Sequence, residues 1–396
     1  MNTVAHMETV AVQGDTFKVN PHKGEVISKV SSQWFSRPDD QRFLSLSELE
    51  SAVHKRSAAA SQEIVDVKSI YVDADRDNPD ALTLGFNNVT NISPNHWSFG
   101  QLSSLAGAPA GYMRKLPSTI AGINLQYGLQ NLRAENVKMF YNPDDEELYA
   151  ATGTEYGRVF DHELVSAIRK IAGNGTGDTR WKVPGLLDWT THRYNPFVDL
   201  TKQNTTLYAS DRDVFVFLVD DTHPIEIGKL SNGDPDVVFR GFYAWNSEVG
   251  SKTLGISTFL FRAVCQNRNI WGAQDISEVV IRHSKNAPQR FAAEAEPALL
   301  EYANASDQGI ILGIQNAKNA IVATTDEDRI QWLGKRGFSA KQAQNIIDTV
   351  IREEDTKPAS VWDFVQGITA VARNIGHTDE RVALEKLAGN LLKKVS

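Results

Sequence analysis

The clearest periodicity lies in the last sixty residues, where apolar positions recur with helical spacing. After Ser339 they follow the order i, i+3, i+4, i+7 and i+8, at Ala343, Ile346, Ile347, Val350 and Ile351. Similar stripes follow Ser360 and Asp379. Because Ser and Asp are favoured N-cap residues, the pattern predicts three capped amphipathic helices that pack as a small bundle.

The middle of the chain has the period of β-strands. Val214–Val219 is a continuous apolar run, which is typical of a strand buried on both faces. The alternation that follows places Phe239, Tyr243 and Trp245 on one face of a second strand. Gly250 marks a turn, with its tip between residues 246 and 250, and "KTLGIS" returns as the partner strand. The next residues fit a helical stripe at Phe259, Leu260, Ala263 and Val264, which predicts a strand–turn–strand–helix unit.

Shorter elements are predicted on either side of this unit. Ser45 and Glu48 are spaced as a capping box, and Pro109 and Pro117 should break the following region into short helices. Together the patterns predict an α+β fold with a central antiparallel sheet and a C-terminal helical bundle. We expect three parts, a partly ordered N-terminal extension (1–60), an α+β core domain (61–290) and a helical C-terminal domain (291–396).

Composition narrows the class of protein. With 396 residues, of which 41% are hydrophobic, the chain can bury a large core. It lacks the run of about 18 apolar residues that a membrane span requires, and its N-terminus lacks the basic and apolar segments of a signal peptide. One cysteine, Cys265, allows neither an intrachain disulfide nor a Cys-based zinc cluster. We expect a soluble cytoplasmic protein.

The net charge of −8 is unevenly distributed. Residues 240–290 contain seven basic and three acidic side chains, and the arginines alternate with aromatic residues. Aromatic faces stack on unpaired bases while guanidinium groups bind phosphates, which indicates single-strand binding. The predicted contacts are Arg240, Trp245, Lys252, Arg262, Arg268, Trp271 and Arg282. The alternative, in which the aromatics form core and the basic residues a solvated rim, stays open because aromatic-rich strands usually pack inward.

A second candidate site has the pattern of a metal-dependent nuclease. Asp236, Glu248 and Lys252 resemble the arrangement in which two carboxylates hold a metal and a lysine lies beside the attacked phosphate. The even offset between Glu248 and Lys252 suits one strand face, but Gly250 interrupts that strand. A hairpin turn with solvated charges explains the same residues.

Other candidate motifs lack residues that their chemistry requires. The acidic turn from Asp73 lacks the glycine and the final glutamate of a calcium loop. The glycine-rich loop 173–181 lacks the Lys-Ser/Thr pair of a phosphate loop. A helix–turn–helix rhythm before Pro117 offers only Arg114 and Lys115 to DNA. Cys265 is interpreted as a small buried hydrophobe. No cofactor or metal site is expected.

Several segments resemble a known family. They include "FGQLSSLAGAPAGYMRKLP", "LYASDRDVFVFLVDD", "FRGFYAWNSEVGSKTLGISTFLFRAVCQNRNIWGAQ" and "VWDFVQGITAVARNIGHTDERVALEKLAG". These are similar to the phage/plasmid-like family called domain of unknown function nine hundred and thirty-two, over roughly residues 90–395. The resemblance implies a bacterial mobile-element context and transfers no catalytic residue, because the family has no agreed activity.

Three functions are therefore considered. The first is a non-enzymatic protein of a mobile element that binds single-stranded DNA, as a homo-oligomer that promotes annealing or recombination. The second is a nuclease or hydrolase that uses Asp236, Glu248 and Lys252. The third is an interaction protein that acts on a host defence or replication factor.

Overall fold

A computed structural model describes most of the chain after residue 36. The described ranges are 37–78, 80–133, 135–176, 179–183, 187–188, 193–194, 199–203, 205–220, 222–229, 233, 235–262, 267–269, 278–375 and 378–394. The helices are α1 (Leu46–Ala58), α2 (His96–Leu105), α3 (Ala110–Met113), α4 (Ser118–Gln130), α5 (Asp161–Ala172), α6 (Ala287–Arg290), α7 (Glu296–Asn304), α8 (Gln308–Asn319), α9 (Asp326–Gly334), α10 (Ala340–Glu354), α11 (Val361–Arg373) and α12 (Thr378–Lys393). None of these helices has both the length and the apolar composition that crossing a bilayer requires.

The strands belong to two main sheets. The first comprises β1 (Arg42–Phe43), β8 (Trp181–Lys182), β11 (Leu207–Ala209), β12 (Val214–Asp220), β13 (Ile225–Lys229), β14 (Pro235–Asn246), β15 (Leu254–Arg262), β16 (Asn267–Asn269) and β17 (Glu278–Ile281). The second comprises β2 (Ser61–Asp66), β3 (Tyr71–Ala74), β4 (Leu82–Phe86), β5 (Val89–Pro94), β6 (Asn136–Asn142) and β7 (Glu147–Thr152). A two-stranded ribbon pairs β9 (Leu187–Asp188) with β10 (Arg193–Tyr194).

Both sheets are built mainly from antiparallel pairs. The main path of the first sheet is β1-β11-β12-β14-β15-β16, with β8, β13 and β17 joined to β12, β14 and β15. The second sheet has the order β2-β6-β7-β5-β4-β3, in which β5 and β7 run parallel. The predicted α+β class, with antiparallel sheets and helices toward the C-terminus, is confirmed.

The long strands of the first sheet are buried on both faces. Phe242 and Ala244 face a core shared with α1, α5 and α7, whereas Phe239 and Tyr243 pack with aromatic residues on the opposite face. The predicted alternation along β14 is therefore confirmed. The second sheet packs its own apolar face against α2 and α4.

Three of the predicted capping residues begin their helices, whereas Asp379, predicted to cap the last one, lies inside α12. The Ser45 side chain accepts a hydrogen bond from the Glu48 amide, and Ser339 and Ser360 do the same at α10 and α11. The C-terminal helices do not pack only on one another, because they share a core with Ile225, Val238 and Leu260 of the sheet. Buried clusters thus cross both predicted domain boundaries, at residues 60 and 290, and the three-part division stays a prediction.

The predicted hairpin is present, but the helix expected immediately after it is wrong. Thr258 to Arg262 continue β15, which pairs with β14 along the whole segment. Phe259 enters the aromatic face and Leu260 the opposite core. A strand buried on both faces gives consecutive apolar residues that also fit a helical stripe. Ala263, Val264 and Cys265 lie outside the described residues.

Candidate functional site

The tip of the β14–β15 hairpin is buried. Asn246, Ser247, Glu248 and Val249 at its start all have 0% exposure. The turn closes with Gly250, whose φ of 86° is a conformation that favours glycine. A buried tip must have its polar groups bonded by surrounding elements, so this turn is fitted into the molecule and is not a solvated bend.

Three elements hold the tip in place. The carbonyl oxygen of Val249 accepts hydrogen bonds from Trp97 Nε1 and Gln101 Nε2 of α2, each at 2.9 Å. Tyr156 donates its hydroxyl proton to the Ser247 carbonyl at 2.9 Å. Ser247 Oγ in turn donates to the Arg212 carbonyl at 2.6 Å. The tip therefore fixes α2 and the β11–β12 turn relative to each other.

A cavity of about 620 Å³ lies beside this junction. Its charged and polar lining comes from His96, Trp97, Gln101, Ser104, Arg114 and Arg212, and none of its lining residues is acidic. Its apolar lining includes Leu105, Ala110 and Ala151. We call this cavity the α2 pocket. Its volume is in the range of small-molecule sites.

Local sequence places the two arginines in the α2 pocket. The Arg114 guanidinium donates to the His96 carbonyl at 2.8 Å. A Cβ at Gly100 would lie 3.2 Å from Arg114 Nη2, so glycine inside α2 leaves room for this side chain. Glycine in a helix interior costs roughly 1 kcal/mol relative to alanine. Arg212 Cζ lies 4.9 Å from the ring centroid of Trp97.

The lining of the α2 pocket contains two basic and no acidic side chains, although the charge of Arg212 also acts on Asp211 outside the lining. Burial, followed by the charges of Arg114 and Arg212, lowers the pKa of His96 to about 4. Its imidazole is therefore neutral at pH 7. A pocket with this balance attracts anions.

Behind the tip lies a second group of buried charges. Glu248 Oε2 accepts from the Asp161 amide at 3.2 Å, and Glu248 Oε1 lies 3.7 Å from Arg56 Nε. Asn246 Nδ2 donates to Asp161 Oδ1 at 2.8 Å. Burial and then the charge of Glu248 raise the pKa of Asp161 well above its usual value. A smaller cavity of about 220 Å³ adjoins Arg56 and Asp211.

Two of the predicted nucleic-acid contacts are buried in ion pairs. Arg240 is 3% exposed and its Nη2 lies 2.6 Å from Asp307 Oδ1. Arg262 is also 3% exposed and donates to both carboxylate oxygens of Asp236, at 2.8 and 3.0 Å, as well as to Glu354. Neither guanidinium group faces solvent, so the structure favours a structural role for both residues.

The other predicted contacts are not gathered with them. Trp245 is half-buried on the opposite sheet face, where its ring covers Gly255. Lys252 is 38% exposed and lies 2.8 Å from Asp213, which also binds Arg37. Arg282 is exposed beyond β17. Arg268 lies in β16, with its side chain outside the description, and Trp271 lies outside the described residues altogether.

The nuclease alternative is not supported by the geometry. Asp236 lies at the start of β14, and ten residues separate it from Asn246 at the end. At about 3.3 Å per residue this is roughly 33 Å, so Asp236 and Glu248 cannot hold one metal ion. Within the described ranges, no group of three His, Cys, Asp or Glu side chains is arranged to bind a metal.

Sequence reasoning missed most of the α2 pocket. Of its polar residues, only Arg114 was considered, and only as a DNA-reading residue of a helix–turn–helix. One signal was available, because His96, Gly100 and Ser104 repeat at i, i+4 and i+8, with Trp97 and Gln101 one position later. This face of α2 is polar and aromatic, as expected for a lined cavity.

Comparison with known families covers the hairpin. The model of Domain of unknown function (DUF932) matches residues 199–310, which include Arg212 and the whole tip but not α2. No curated protein and no solved structure matches this chain. The wider resemblance, over roughly residues 90–395, stays a prediction outside the matched region. Residues 199–310 therefore match the family that the sequence resembles, DUF932.

Proposed function

We propose that this protein binds single-stranded nucleic acid without chemical turnover, through the α2 pocket. The observation that carries the proposal is the convergence of Arg114 and Arg212 on neutral His96, in a cavity whose lining contains no acidic residue. Guanidinium groups bind phosphate oxygens by charge-assisted hydrogen bonds. The proposed ligand is the one that the sequence predicts, single-stranded nucleic acid. The proposed contacts differ, because they lie in this pocket and not among the buried ion pairs of β14 and β15.

The amphipathic lining supports a nucleotide as the unit that is bound. The arginines lie at the N-terminal end of α2, where the helix dipole also favours an anion. Leu105 lies at the C-terminal end of α2, and its apolar side chain can accept a base or sugar. From His96 to Ser104 the helix rises roughly 12 Å, at about 1.5 Å per residue. A phosphate and its base can occupy the two ends together.

A salt titration tests this proposal. Fluorescent single-stranded DNA is titrated with the full chain and with Arg114→Ala and Arg212→Ala, at about 50 and 200 mM salt. Each variant should lose about tenfold in affinity, and its log–log salt slope should shrink by about one. Lys115→Ala is the matched control, because Lys115 is exposed beside Arg114 and is not part of the pocket lining.

Two results would contradict the proposal. One is negligible binding of single-stranded DNA by the wild-type chain at the lower salt concentration. The other is binding that Lys115→Ala weakens as much as Arg114→Ala does, because the contacts would then be a diffuse surface charge. Circular dichroism of each variant separates lost contacts from lost folding.

The proposal includes self-association and a mobile-element context in the host cytoplasm. Helix α4 contains no charged residue, yet Ile120, Ile123 and Tyr127 on its outward face are 47%, 64% and 72% exposed. Interface cores are depleted in charge and enriched in aromatic residues. A second copy presents the same uncharged stripe, so an isologous α4–α4 contact places no like charges together. The mass of the native particle tests this point.

A further inference from the structure

The α2 pocket brings two guanidinium groups together in a lining that contains no acidic residue, and the acidic group that Arg212 acts on, Asp211, lies outside that lining. Arg114 and Arg212 both act on His96, so both guanidinium groups are close to one imidazole. Arg114 is held at the N-terminal end of α2 through the His96 carbonyl, and Arg212 lies over the neighbouring Trp97. A phosphodiester offers these two cations a single negative charge. A terminal phosphate monoester offers about 1.5 to 2 negative charges at pH 7.

The shape of the pocket points in the same direction. A cavity of about 620 Å³ suits one ligand of nucleotide size. A strand that continued on both sides of the bound nucleotide would need a groove with cations spaced along it. Elsewhere on the first sheet, Arg240 and Arg262, which the sequence predicts as backbone contacts, are buried in ion pairs with carboxylates.

We propose that the α2 pocket recognises the phosphorylated end of a nucleic-acid strand, with Arg114 and Arg212 on the terminal phosphate and the terminal base toward Leu105 and Ala110. This inference rests on the proposed function and specifies which part of the strand is bound. A 5′-phosphate, a 3′-phosphate and a free nucleoside monophosphate share this chemistry, and the test separates them.

The guanidinium forks explain why arginine occupies both positions. A planar fork can donate two parallel hydrogen bonds to a phosphate, whereas a lysine ammonium acts as a point charge. Gly100 is part of the same arrangement, because any side chain there would contact Arg114 Nη2. We therefore expect Arg114→Lys to lose most of the preference for a phosphorylated end while it keeps its charge.

The experiment uses the full chain and oligonucleotides of one sequence with an internal fluorophore. Their ends carry a 5′-phosphate, a 3′-phosphate or only hydroxyl groups, and a nucleoside monophosphate serves as competitor. One phosphorylated form should bind at least about tenfold more tightly than the hydroxyl form, since charge-assisted bonds are roughly twice as strong as neutral ones. Arg114→Ala and Arg212→Ala should remove that preference, and Lys115→Ala should keep it.

The outcomes distinguish this inference from the function on which it rests. If all three oligonucleotides bind equally and Arg114→Ala weakens them equally, strand binding stands and end recognition is overturned. If only the free monophosphate binds, the pocket is a nucleotide site and both proposals fail. If none of the ligands binds the wild-type chain, both fail as well. A phosphate preference that survives in both arginine variants places recognition elsewhere and overturns the inference.

Discussion

The two ends of strand β14 bury charge in different ways. At its start, the carboxylate of Asp236 receives two hydrogen bonds from Arg262, which also binds Glu354, and Lys318 lies 3.5 Å away. At its end, the buried carboxyl groups of Asp161 and Glu248 lie together, and the pKa of Asp161 is raised well above its usual value. One end is a neutralised ion-pair network and the other an electrostatically strained junction.

The contrast separates structural charges from those that can serve a ligand. A buried ion pair with well-formed geometry is common in folded cores and by itself indicates no activity. Perturbed pKa values beside a cavity are typical of functional sites. The strained end of β14 adjoins the α2 pocket, through the tip that bonds Trp97 and Gln101. We therefore expect substitutions at the first end to change stability and substitutions at the second to change binding or pH dependence.

The largest expected effect is at the neutralised end. Arg262→Ala leaves Asp236 buried beside a weaker partner, and breaking a buried pair costs about 3–5 kcal/mol of unfolding free energy. Urea unfolding measures this loss. Arg290→Ala is the matched control, because the Arg290–Glu294 pair is exposed to solvent and exposed ion pairs contribute little to stability.

This prediction fails if Arg262→Ala is as stable as Arg290→Ala. It also fails if the folded variant loses DNA binding as strongly as Arg114→Ala does. The second result would mean that Arg262 contacts DNA, as the sequence predicts. The two ends of β14 would then not differ in function.

At the strained end the effect on stability should have the opposite sign. A carboxyl group whose pKa is raised by folding stabilises the fold below its unfolded-state pKa of about 3.9, and this contribution is lost as pH rises through the folded-state value. Above that value the ionised Asp161 is a penalty. Asp161→Asn keeps an oxygen for Asn246 and removes the charge, so it should gain about 0.5–2 kcal/mol at pH 7.

Unfolding of Asp161→Asn and wild type at several pH values checks this. The difference in unfolding free energy should grow in favour of the variant as pH rises from about 4. Asp213→Asn provides a control of opposite sign. Burial alone would raise the pKa of Asp213, but the charges of Arg37 and Lys252 hold it well below its usual value. A difference that is independent of pH for Asp161→Asn would show that its carboxyl group is not strained.

The sequence predicts the elements of this junction better than their packing. Capping residues such as Ser339 and Ser360 act within one turn, so local spacing is enough to locate them. The hairpin is signalled by alternation and by Gly250 for the same reason. The helix predicted at Phe259 and Leu260 is wrong because β15 is buried on both faces, which makes consecutive residues apolar. The layers that bury it come from distant segments of the chain, so local spacing does not reveal them.

The α2 pocket could not be predicted because its parts are far apart in the chain. His96 and Arg114 come from the region of α2 and α3, whereas Arg212 comes from the β11–β12 turn. The local density of arginines pointed instead to residues 240–290. Whether an arginine there faces solvent depends on Asp307, which precedes α8, and on Glu354 of α10. Charge composition locates basic side chains but does not show which of them are already paired.

The smallest expected effect is a proton linkage at His96, seen as a pH dependence of the ligand affinity. It tests whether the end of β14 beside the α2 pocket is connected to ligand binding. Burial and the two guanidinium groups lower its pKa to about 4 in the free protein. A bound phosphate offsets those positive charges, so the pKa of His96 should rise in the complex and binding should take up a proton. The affinity should therefore increase as pH falls from 7 toward 5, by at most about tenfold for each pH unit.

Comparison with His96→Gln isolates this linkage, because the titration of the ligand phosphate is common to both proteins. The ratio of the Kd of His96→Gln to that of the wild type should grow a few-fold between pH 7 and pH 5. Fluorescence titrations with the phosphorylated oligonucleotide measure it. A ratio that stays constant would mean that the phosphate does not approach His96. The anion would then lie away from the convergence of Arg114 and Arg212, and the strained end of β14 would have no demonstrated connection to a ligand.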